Sequence, residues 1–482
     1  MSENQNIRSA RSFSPSRRGF LTAAAASAAV TAAPLAFPGA AVSLETARQG
    51  LGKPERPQAP DKVLRDLCRR IDPRRIEENI QALVSFGTRH TLSTQDDPNR
   101  GIGAAANWIF EQFQSYAAAS GGRMTVEKQT FVQPVSSRIP VPTPITNVIA
   151  TLHGDTEPNR AYVVTGHYDS RVTDVMNATS DAPGANDDAS GVAAVMEMAR
   201  VMADQHTEAT LVFGPVAGEE QGLYGSAHMA REMATAGVDV QGMFTNDIVG
   251  SSTADDGTRN PDTVRLFAEG VPTAETPAEA NIRRSVGGEN DSPARQLARF
   301  VESVAQNNAT DMEVRTIYRR DRYLRGGDHI SFLEQRFPAA RFTEPAENFA
   351  HQHQDIRVEN GVQFGDLIEF CDFDYIARVA RVNLAAIWSM AQAPGTPKGA
   401  GIVTSNLTNS STLRWNPSTS ADLAGYEIVI RETTSPDWTD VVAVGNVTQA
   451  DVDLSKDNVF FGVRAVDTDG HRSPVAFPRP VS

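Results

Sequence analysis

The chain has 482 residues, 40% of them hydrophobic, so it is too long for one ordinary domain and can build a large core. Its formal net charge of −14 argues against nucleic acid or anionic lipid as a partner, because both are themselves negatively charged. Only two cysteines occur, Cys68 and Cys371, which excludes a disulfide-rich scaffold and a thiolate zinc site. Whether those two pair is left open by the sequence.

The first forty residues indicate an export signal. Arg17 and Arg18 form a twin-arginine pair, followed by an Ala-rich apolar run over 21–35 and by small residues near Gly39. The run is too short to span a membrane comfortably. We predict a twin-arginine signal peptide over 1–42, periplasmic or extracellular location and no membrane span; a retained helical anchor is the alternative. Residues 43–64 are expected to form a linker or loosely attached arm.

Alternating helix and strand patterns over 65–393 predict an α/β layered domain. Helical patterns cover 74–86, 102–119, 189–202, 292–306 and 365–390. Strand-like runs cover 124–132, 147–152, 161–165, 210–215, 243–247 and 340–343. Residues 251–292, rich in Gly, Asp, Thr and Pro and interrupted by a strand-like run at 264–267, predict a long insertion of loops at the rim of a site.

The composition changes after Ala393. Residues 394–399 are a Pro- and Gly-rich linker, and short alternating strands follow, with Trp415 and Tyr426 in a central place. This pattern predicts a small all-β sandwich over 400–482. It shows no chemistry of its own, so contact with a polymer or surface is one expected role and shielding of the larger domain is the other.

Acidic and histidine side chains follow several of the predicted buried strands. They are His167, Asp187, Glu219, Glu220, Asp247 and His351. Parallel strands of an open α/β sheet end at one edge, where ligands bind, so we expect these side chains to meet. Two histidines and three carboxylates suit zinc, and one further glutamate can act as a general base. The set predicts a two-metal hydrolase.

The adjacent pair Glu219 and Glu220 gives the strongest single indication. Two carboxylates at the end of a buried run repel each other unless cations or a proton neutralise them. We expect Glu220 to be a ligand and Glu219 to be the base for the attacking water, which two metals would acidify. Asp187 is expected to bridge the metals, although an N-cap pair with Asp188 is the simpler interpretation of that position alone.

Three further positions are assigned supporting or rival roles. Asp169 is expected to accept the second ring N–H of His167, and Asp188 is a candidate helix cap or supporting carboxylate. His353 competes with His351 for the last ligand position. We favour His351 because Asp355 lies four residues beyond it and could orient its ring.

These motifs resemble those of the M28 zinc metallopeptidases, which include bacterial aminopeptidases. The resemblance covers roughly 65–392 and rests on T-G-H-Y-D-S-R, P-G-A-N-D-D-A-S-G, A-G-E-E-Q-G-L-Y-G-S and N-D-I-V-G. It implies a three-layer α/β/α domain with a mixed central sheet, two Zn²⁺ ions and a cis peptide between Asp187 and Asp188. It also implies the roles: His167 and Asp247 on one zinc, Glu220 and His351 on the other, Asp187 between them, and Glu219 as the base. The C-terminal segment resembles a fibronectin type III domain through Trp415 and Tyr426.

Some relatives carry a tyrosine just before the last histidine, where this chain has Ala350. Help for the oxyanion is therefore expected from residues 321–329, whose candidates are Arg322, Tyr323, Arg325 and His329. The implied activity is a secreted dinuclear zinc exopeptidase acting on peptides, most naturally an aminopeptidase. A carboxypeptidase or dipeptidase is the first alternative, because arginines over 319–325 could hold a substrate carboxylate. A non-catalytic binding protein on a peptidase scaffold is the second.

Overall fold

The computed structural model describes residues 52–482, so the predicted signal peptide and the start of the predicted arm lie outside it. The helices are α1 Lys62–Arg70, α2 Pro73–Ser85, α3 Gly101–Ala117, α4 Ala189–Met202, α5 Glu219–Gly222, α6 Tyr224–Thr235, α7 Pro277–Val286, α8 Pro293–Ala305, α9 His329–Glu334 and α10 Phe373–Gln392. The strands of the larger domain are β2 Met124–Gln133, β3 Thr143–Leu152, β4 Glu157–His167, β5 Ala209–Val216, β6 Asp239–Asn246, β7 Thr263–Phe267, β8 Glu313–Ile317 and β9 Ala339–Thr343, with a small hairpin of β10 Arg357–Glu359 and β11 Val362–Phe364. The remaining strands are β1 Lys53–Pro54, which precedes them, and β12 Gly401–Val403, β13 Ser411–Arg414, β14 Leu423–Glu432, β15 Asp440–Gly445, β16 Gln449–Val452, β17 Val459–Asp467 and β18 Arg479–Val481.

Eight strands form one mixed sheet in the order β2-β3-β5-β4-β6-β9-β7-β8. The four central strands β5, β4, β6 and β9 are parallel, so their carboxyl ends lie at one edge. The outer strands include antiparallel pairs, β2 with β3, β3 with β5, and β7 with β9. Strand β5 is buried along its whole length, as its continuous apolar run predicts.

Helices cover both faces of this sheet. Successive side chains of a strand point to opposite faces. Accordingly Tyr162 and Val164 of β4 belong to a large core cluster with α2, α4 and α10. Val163 belongs to a second cluster, with Met229 of α6 and Phe332 of α9. The predicted three-layer α/β/α architecture with a mixed sheet is confirmed.

The predicted elements occur within a few residues of their expected ends, apart from α10, which begins at Phe373 instead of 365. The predicted loop insertion over 251–292 needs correction. Thr263–Phe267 is β7, an integral strand of the main sheet, and Pro277–Val286 is α7. Helix α7 has no buried residue, so the sequence shows no apolar stripe there, and its start is marked by the capping box of Thr276 and Glu279 and by Pro277 at its first position.

The C-terminal strands form two four-stranded sheets, β1-β15-β14-β17 and β16-β13-β12-β18. Trp415 and Tyr426 lie in the core between them, with ring centroids 5.2 Å apart. The Tyr426 hydroxyl accepts a hydrogen bond of 2.6 Å from the backbone N–H of Ser418. The predicted small all-β sandwich is therefore present, with the two predicted aromatic residues at its centre.

The described part of the predicted loose arm is firmly attached. Strand β1 pairs antiparallel with β15 and so extends a sheet of the C-terminal sandwich. Glu55 makes two contacts of 2.8 Å with the guanidinium of Arg464. Asp61 accepts a hydrogen bond of 2.7 Å from the backbone of Leu64 at the start of α1, and its other oxygen lies 3.5 Å from His471. The arm therefore connects the two domains.

A buried ion cluster also joins the sandwich to the larger domain. The carboxylate of Asp291 lies 2.9 Å from Arg299 of α8 and 2.6 Å from Arg431 of β14. Beside it, the indole N–H of Trp438 donates to Gln296 at 3.1 Å. The buried carboxylate of Asp291 is thus paired by arginines from both domains, and removal of either arginine would leave it less well compensated.

Two remaining predictions concern the thiols and the membrane. Cys68 and Cys371 are both free. Over residues 52–482, no helix has the length and apolar character that crossing a membrane requires.

Candidate metal centre

The ends of three parallel strands bring the predicted site residues together. His167 ends β4, Glu219 and Glu220 follow β5, and Asp247 follows β6. Two clusters of ligand atoms result: His167, Glu219 and Asp247 form the first, and Asp187, Glu220 and His353 form the second. Within each cluster the ligand atoms lie within 4.8 Å of one another.

Asp187 lies between the two clusters. Its Oδ1 is 3.1 Å from Nε2 of His167, and its Oδ2 is 2.8 Å from Nε2 of His353. Nε2 of His353 is also 2.9 Å from Oε1 of Glu220, and Nε2 of His167 is 3.9 Å from Oδ1 of Asp247. One oxygen of Asp187 thus faces each cluster, which is the arrangement that a bridging carboxylate requires.

The structure does not bring His351 to either cluster; His353, its rival in the sequence, lies with Asp187 and Glu220 instead. The ring of His351 stacks on Phe370 with centroids 3.5 Å apart, outside both clusters. Asp355, which was expected to orient His351, donates its backbone N–H to Thr173. His353 has a φ of 53°, and this left-handed conformation accompanies the turn that places its ring beside Asp187. Few histidines adopt it, so the sequence carries no signal for it.

Asp188 has both of the predicted supporting roles. Its side chain accepts hydrogen bonds from the backbone N–H of Gly191 at 3.1 Å, as the N-cap of α4, and from that of His167 at 2.9 Å. It therefore holds the end of β4 against the start of α4. The peptide bond between Asp187 and Asp188 is cis, as expected.

Asp169 supports the site mainly by holding the segment that carries Glu219 and Glu220. Its carboxylate accepts hydrogen bonds from the backbone of Glu219 at 3.3 Å and Glu220 at 3.1 Å, and from the hydroxyl of Thr91 at 2.9 Å. Nδ1 of His167 is nearer to the backbone oxygen of Asp169, at 3.1 Å, than to its carboxylate, at 3.6 Å. The predicted partner of His167 is thus the right residue, but the carbonyl is the closer acceptor.

Sequence reasoning missed three buried charged residues that surround the clusters. Asp366 accepts hydrogen bonds of 2.7 Å from the backbone N–H groups of Asn186 and Asp187, so it orients the bridging carboxylate. Arg341 contacts Asp247 at 2.8 Å. Neither carboxylate oxygen of Asp328 has a hydrogen-bond partner among the described residues, and burial raises the pKa of Asp328 to about 7. Of these three residues, Arg341 could have been found from the sequence, because it is a charged residue within the buried apolar strand β9.

The crowded carboxylates of the site need positive charge to neutralise them. Burial opposes protonation of His167, yet the negative charge of Glu219 and its hydrogen-bonded carboxylates hold the pKa of His167 well above its usual value. Burial likewise opposes protonation of His353, but Glu220 and Asp187 raise its pKa to about 10. Burial, together with the charges of Asp247 and Glu220, raises the pKa of Glu219 well above normal. Buried carboxylates crowded in this way are stabilised by cations. The nitrogen and oxygen donors suit zinc.

The residues predicted to assist the oxyanion lie outside both clusters. Tyr323 is 77% exposed, and its hydroxyl accepts a hydrogen bond of 2.8 Å from Arg319. His329 is buried with Nε2 2.8 Å from the carbonyl of Arg320, and burial lowers its pKa to about 4. Arg325 comes closer to the centre, through Gln352. The structure therefore gives no support to Tyr323 as an oxyanion donor.

Comparison with known proteins places the chain in a family. Residues 147–360, which include both clusters, match the model of Peptidase family M28. A probable zinc metalloprotease of Pyrenophora teres f. teres is 56% identical over 426 residues, covering 88% of each chain. A probable zinc metalloprotease of Pyricularia oryzae is 55% identical over 429 residues, covering 88% of this chain and 86% of that one. The chain belongs to peptidase family M28.

The solved structures that resemble this chain include the LapA aminopeptidase of Legionella pneumophila. It is 17% identical and superposes with a TM-score of 0.48, covering 68% of this chain and 74% of that chain.

Proposed function

We propose that this protein is an exported dinuclear zinc exopeptidase that releases N-terminal amino acids from peptides. The observation that carries the proposal is the pair of ligand clusters on either side of Asp187. Once the five ligands are assigned, Glu219 remains available as a general base. Membership of family M28 and relatives described as probable zinc metalloproteases support the metal and the peptide substrate.

Five residues would hold two zinc ions. His167 and Asp247 belong to one ion, Glu220 and His353 to the other, and Asp187 to both. Bound there, the zinc ions would acidify the attacking water, polarise the scissile carbonyl and stabilise the charge that develops on its oxygen. Asp169, Asp188 and Asp366 would hold the ligand-bearing segments through the hydrogen bonds described above.

Glu219 would transfer a proton from the attacking water to the leaving amine. Its backbone N–H is tied to Asp169, which orients the start of α5, and its carboxylate lies beside the first cluster, within 4.8 Å of the ligand atoms of His167 and Asp247. A carboxylate oxygen of Glu219 takes a proton from the attacking water as the new carbon–oxygen bond forms. The same proton passes to the leaving amine nitrogen as the peptide bond breaks, so the glutamate returns to its starting state.

The location and the C-terminal domain belong to the same proposal. Arg17, Arg18 and the Ala-rich run after them support export by the twin-arginine route to the periplasm or the extracellular space. The core pair of Trp415 and Tyr426 supports a fibronectin type III-like domain, whose proposed role is contact with a polymer or surface. Deletion of residues 398–482 followed by a surface-retention assay tests that role.

The test of the activity is mass spectrometry of a mixed peptide pool incubated with zinc-loaded protein, beside a Glu219→Ala control. Peptides that shorten from the amino end only with the unmodified protein would support the aminopeptidase. Shortening from the carboxyl end would replace it with the carboxypeptidase alternative. Identical spectra for the two proteins would overturn peptide hydrolysis and leave the non-catalytic alternative.

A further inference from the structure

A cluster of arginines lies next to the metal centre, and its carboxylates do not balance its charge. Arg265, Arg322 and Arg325 all contact the single carboxylate of Glu347, at 3.3, 3.2 and 2.8 Å. One more carboxylate, Asp321, lies 3.1 Å from Arg322 and 3.4 Å from the buried Arg341. Four guanidinium groups thus share two carboxylates, apart from Asp247 of the first metal cluster. Among the direct contacts of this cluster, arginines therefore outnumber carboxylates.

Three members of this arginine cluster cannot reach a ligand easily. The side chain of Arg341 is fully buried. Arg322 is 10% exposed, and its Nε, Nη1 and Nη2 donate to Asp321, Glu347 and the carbonyl of Gly326. Arg265 donates from Nε to the carbonyl of Glu344 and from Nη2 to Glu347. Their N–H groups are largely used within the protein.

Arg325 differs from them in exposure and in free donors. Its side chain is 32% exposed. Within residues 52–482 only its Nη1 donates, to Glu347 at 2.8 Å and to Gln352 at 3.4 Å. Its Nε and Nη2 are left to face solvent. A guanidinium edge with two N–H donors is the group that binds a carboxylate most specifically.

The position of Arg325 relative to the metal centre follows from Gln352. Oε1 of Gln352 is 3.4 Å from Nη1 of Arg325, and its Nε2 is 3.4 Å from Oδ2 of Asp187. Gln352 also directly precedes His353 in the chain. Since an amide group is only about 2 Å wide, Arg325 lies within roughly 9 Å of the bridging carboxylate, or two to three residues of an extended peptide.

We propose that Arg325 binds a carboxylate of the substrate and thereby gives the enzyme a preference for short or acidic peptides. The carboxylate belongs either to the free C-terminus of a dipeptide or tripeptide or to an acidic side chain next to the cleaved bond. Glu347 positions Arg325, and Arg265 and Arg322 supply the remaining positive charge. This inference rests on the proposed peptidase function and names its substrate class.

Two pairs of matched peptides test the preference and distinguish the two sources of the carboxylate. Leu-Gly-Gly is compared with its C-terminal amide, and Leu-Glu-Gly amide with Leu-Gln-Gly amide. The unmodified protein is expected to cleave the carboxylate member of at least one pair with a kcat/KM about tenfold higher, the effect of one hydrogen bond to a charged group. The pair that shows the difference identifies the source. Equal kcat/KM values within both pairs would overturn the proposal.

Arg325→Ala should abolish this difference, because KM should rise about tenfold more for the carboxylate peptide than for its uncharged partner. Arg319→Ala is the matched control, because Arg319 lies in the same exposed segment but stacks on Tyr323, 4.0 Å from its ring centre. It should keep the preference. An equal loss for charged and uncharged peptides in Arg325→Ala would indicate a merely structural role and overturn the proposal.

A binding experiment separates this proposal from the peptidase function. Calorimetry on zinc-loaded Glu219→Ala protein measures binding of Leu-Gly-Gly, Leu-Glu-Gly amide and their uncharged partners without turnover. About tenfold tighter binding of a carboxylate peptide, lost in Glu219→Ala/Arg325→Ala, supports the role of Arg325 even if the unmodified protein hydrolyses no peptide. Equal affinity for charged and uncharged peptides contradicts it even if the peptidase activity is established.

Discussion

Arg341 contacts two oxygens of Asp247 through a single nitrogen of its buried guanidinium. Its Nη2 lies 2.8 Å from Oδ1 of Asp247 and donates to the backbone oxygen of the same residue at 3.2 Å. Asp247 Oδ1 is also the carboxylate oxygen that faces His167 at 3.9 Å. The guanidinium therefore places positive charge beside the first cluster, and we expect it to compete there with a metal ion.

Replacing Arg341 with methionine should destabilise the metal-free protein and increase the stabilisation by zinc. Breaking a buried ion pair leaves Asp247 without its arginine, whereas Asp321 keeps Arg322, at a cost of roughly 3–5 kcal/mol. Urea unfolding in a chelator measures this cost, and thermal melts with and without zinc measure the rescue. Arg336→Met is the control, because its side chain is 54% exposed and pairs with Glu279 at the surface. Equal zinc-induced shifts in the variant and the unmodified protein would contradict the competition.

His353→Ala should lose one zinc ion per chain and most of the activity, whereas His351→Ala should keep both. His353 faces Asp187 and Glu220 at hydrogen-bond distance, while His351 stacks on Phe370. Metal analysis of the dialysed proteins checks this expectation directly. A full zinc content in His353→Ala, with a deficit in His351→Ala, would restore the assignment made from the sequence.

Glu219→Gln should lower kcat about 10²–10⁴-fold, the usual contribution of a general base, without loss of metal. Glutamine keeps the size of the side chain but cannot accept the proton from water. Peptide hydrolysis and zinc content are measured on the same preparation. Because Glu219 also lies within 4.8 Å of His167 and Asp247, a lowered zinc content would show that it is a ligand rather than the base.

His471 should make the attachment of the arm depend on pH. Hydrogen bonds to Asp467 and Asp61 raise the pKa of His471 to about 10 from 6.5. Its stabilising contribution is therefore complete below about pH 6.5 and is lost as the pH rises towards 10. Burial favours a higher pKa for Asp61, but its hydrogen bonds outweigh this effect and lower the pKa to about 2. The Asp61 carboxylate therefore remains charged between pH 6.5 and 10.

The free energy of urea unfolding of His471→Gln, compared with the unmodified protein, measures this contribution. The difference should be on the order of 1 kcal/mol near pH 6, because solvent partly screens His471, whose side chain is 18% exposed, and it should vanish near pH 10. His153→Gln, at an exposed histidine of the larger domain, serves as the control. A difference that grows with pH would show that the sign is wrong.

The sequence could place His167, Glu219 and Asp247 together because each lies at or just after the end of a buried apolar strand, and parallel strands end at one edge. It could not choose between His351 and His353, since that choice depends on a single positive φ in a loop. Helix α7 was missed because no face of it is buried. Asp328 and Asp366 lie in loops or at helix starts, where carboxylates are common caps and therefore carry no distinctive signal.

The pairing of β1 with β15 links the first described residues to the last domain of the chain. Glu55 and Arg464, which accompany this pairing, are 409 residues apart in sequence. Contacts between residues so far apart in sequence form slowly, so we expect the edge of β15 to be covered by β1 late in folding. An uncovered edge strand is a site for pairing with other chains. A cut or a bulky tag near residue 52 would therefore promote aggregation through the C-terminal sandwich, at the opposite end of the sequence.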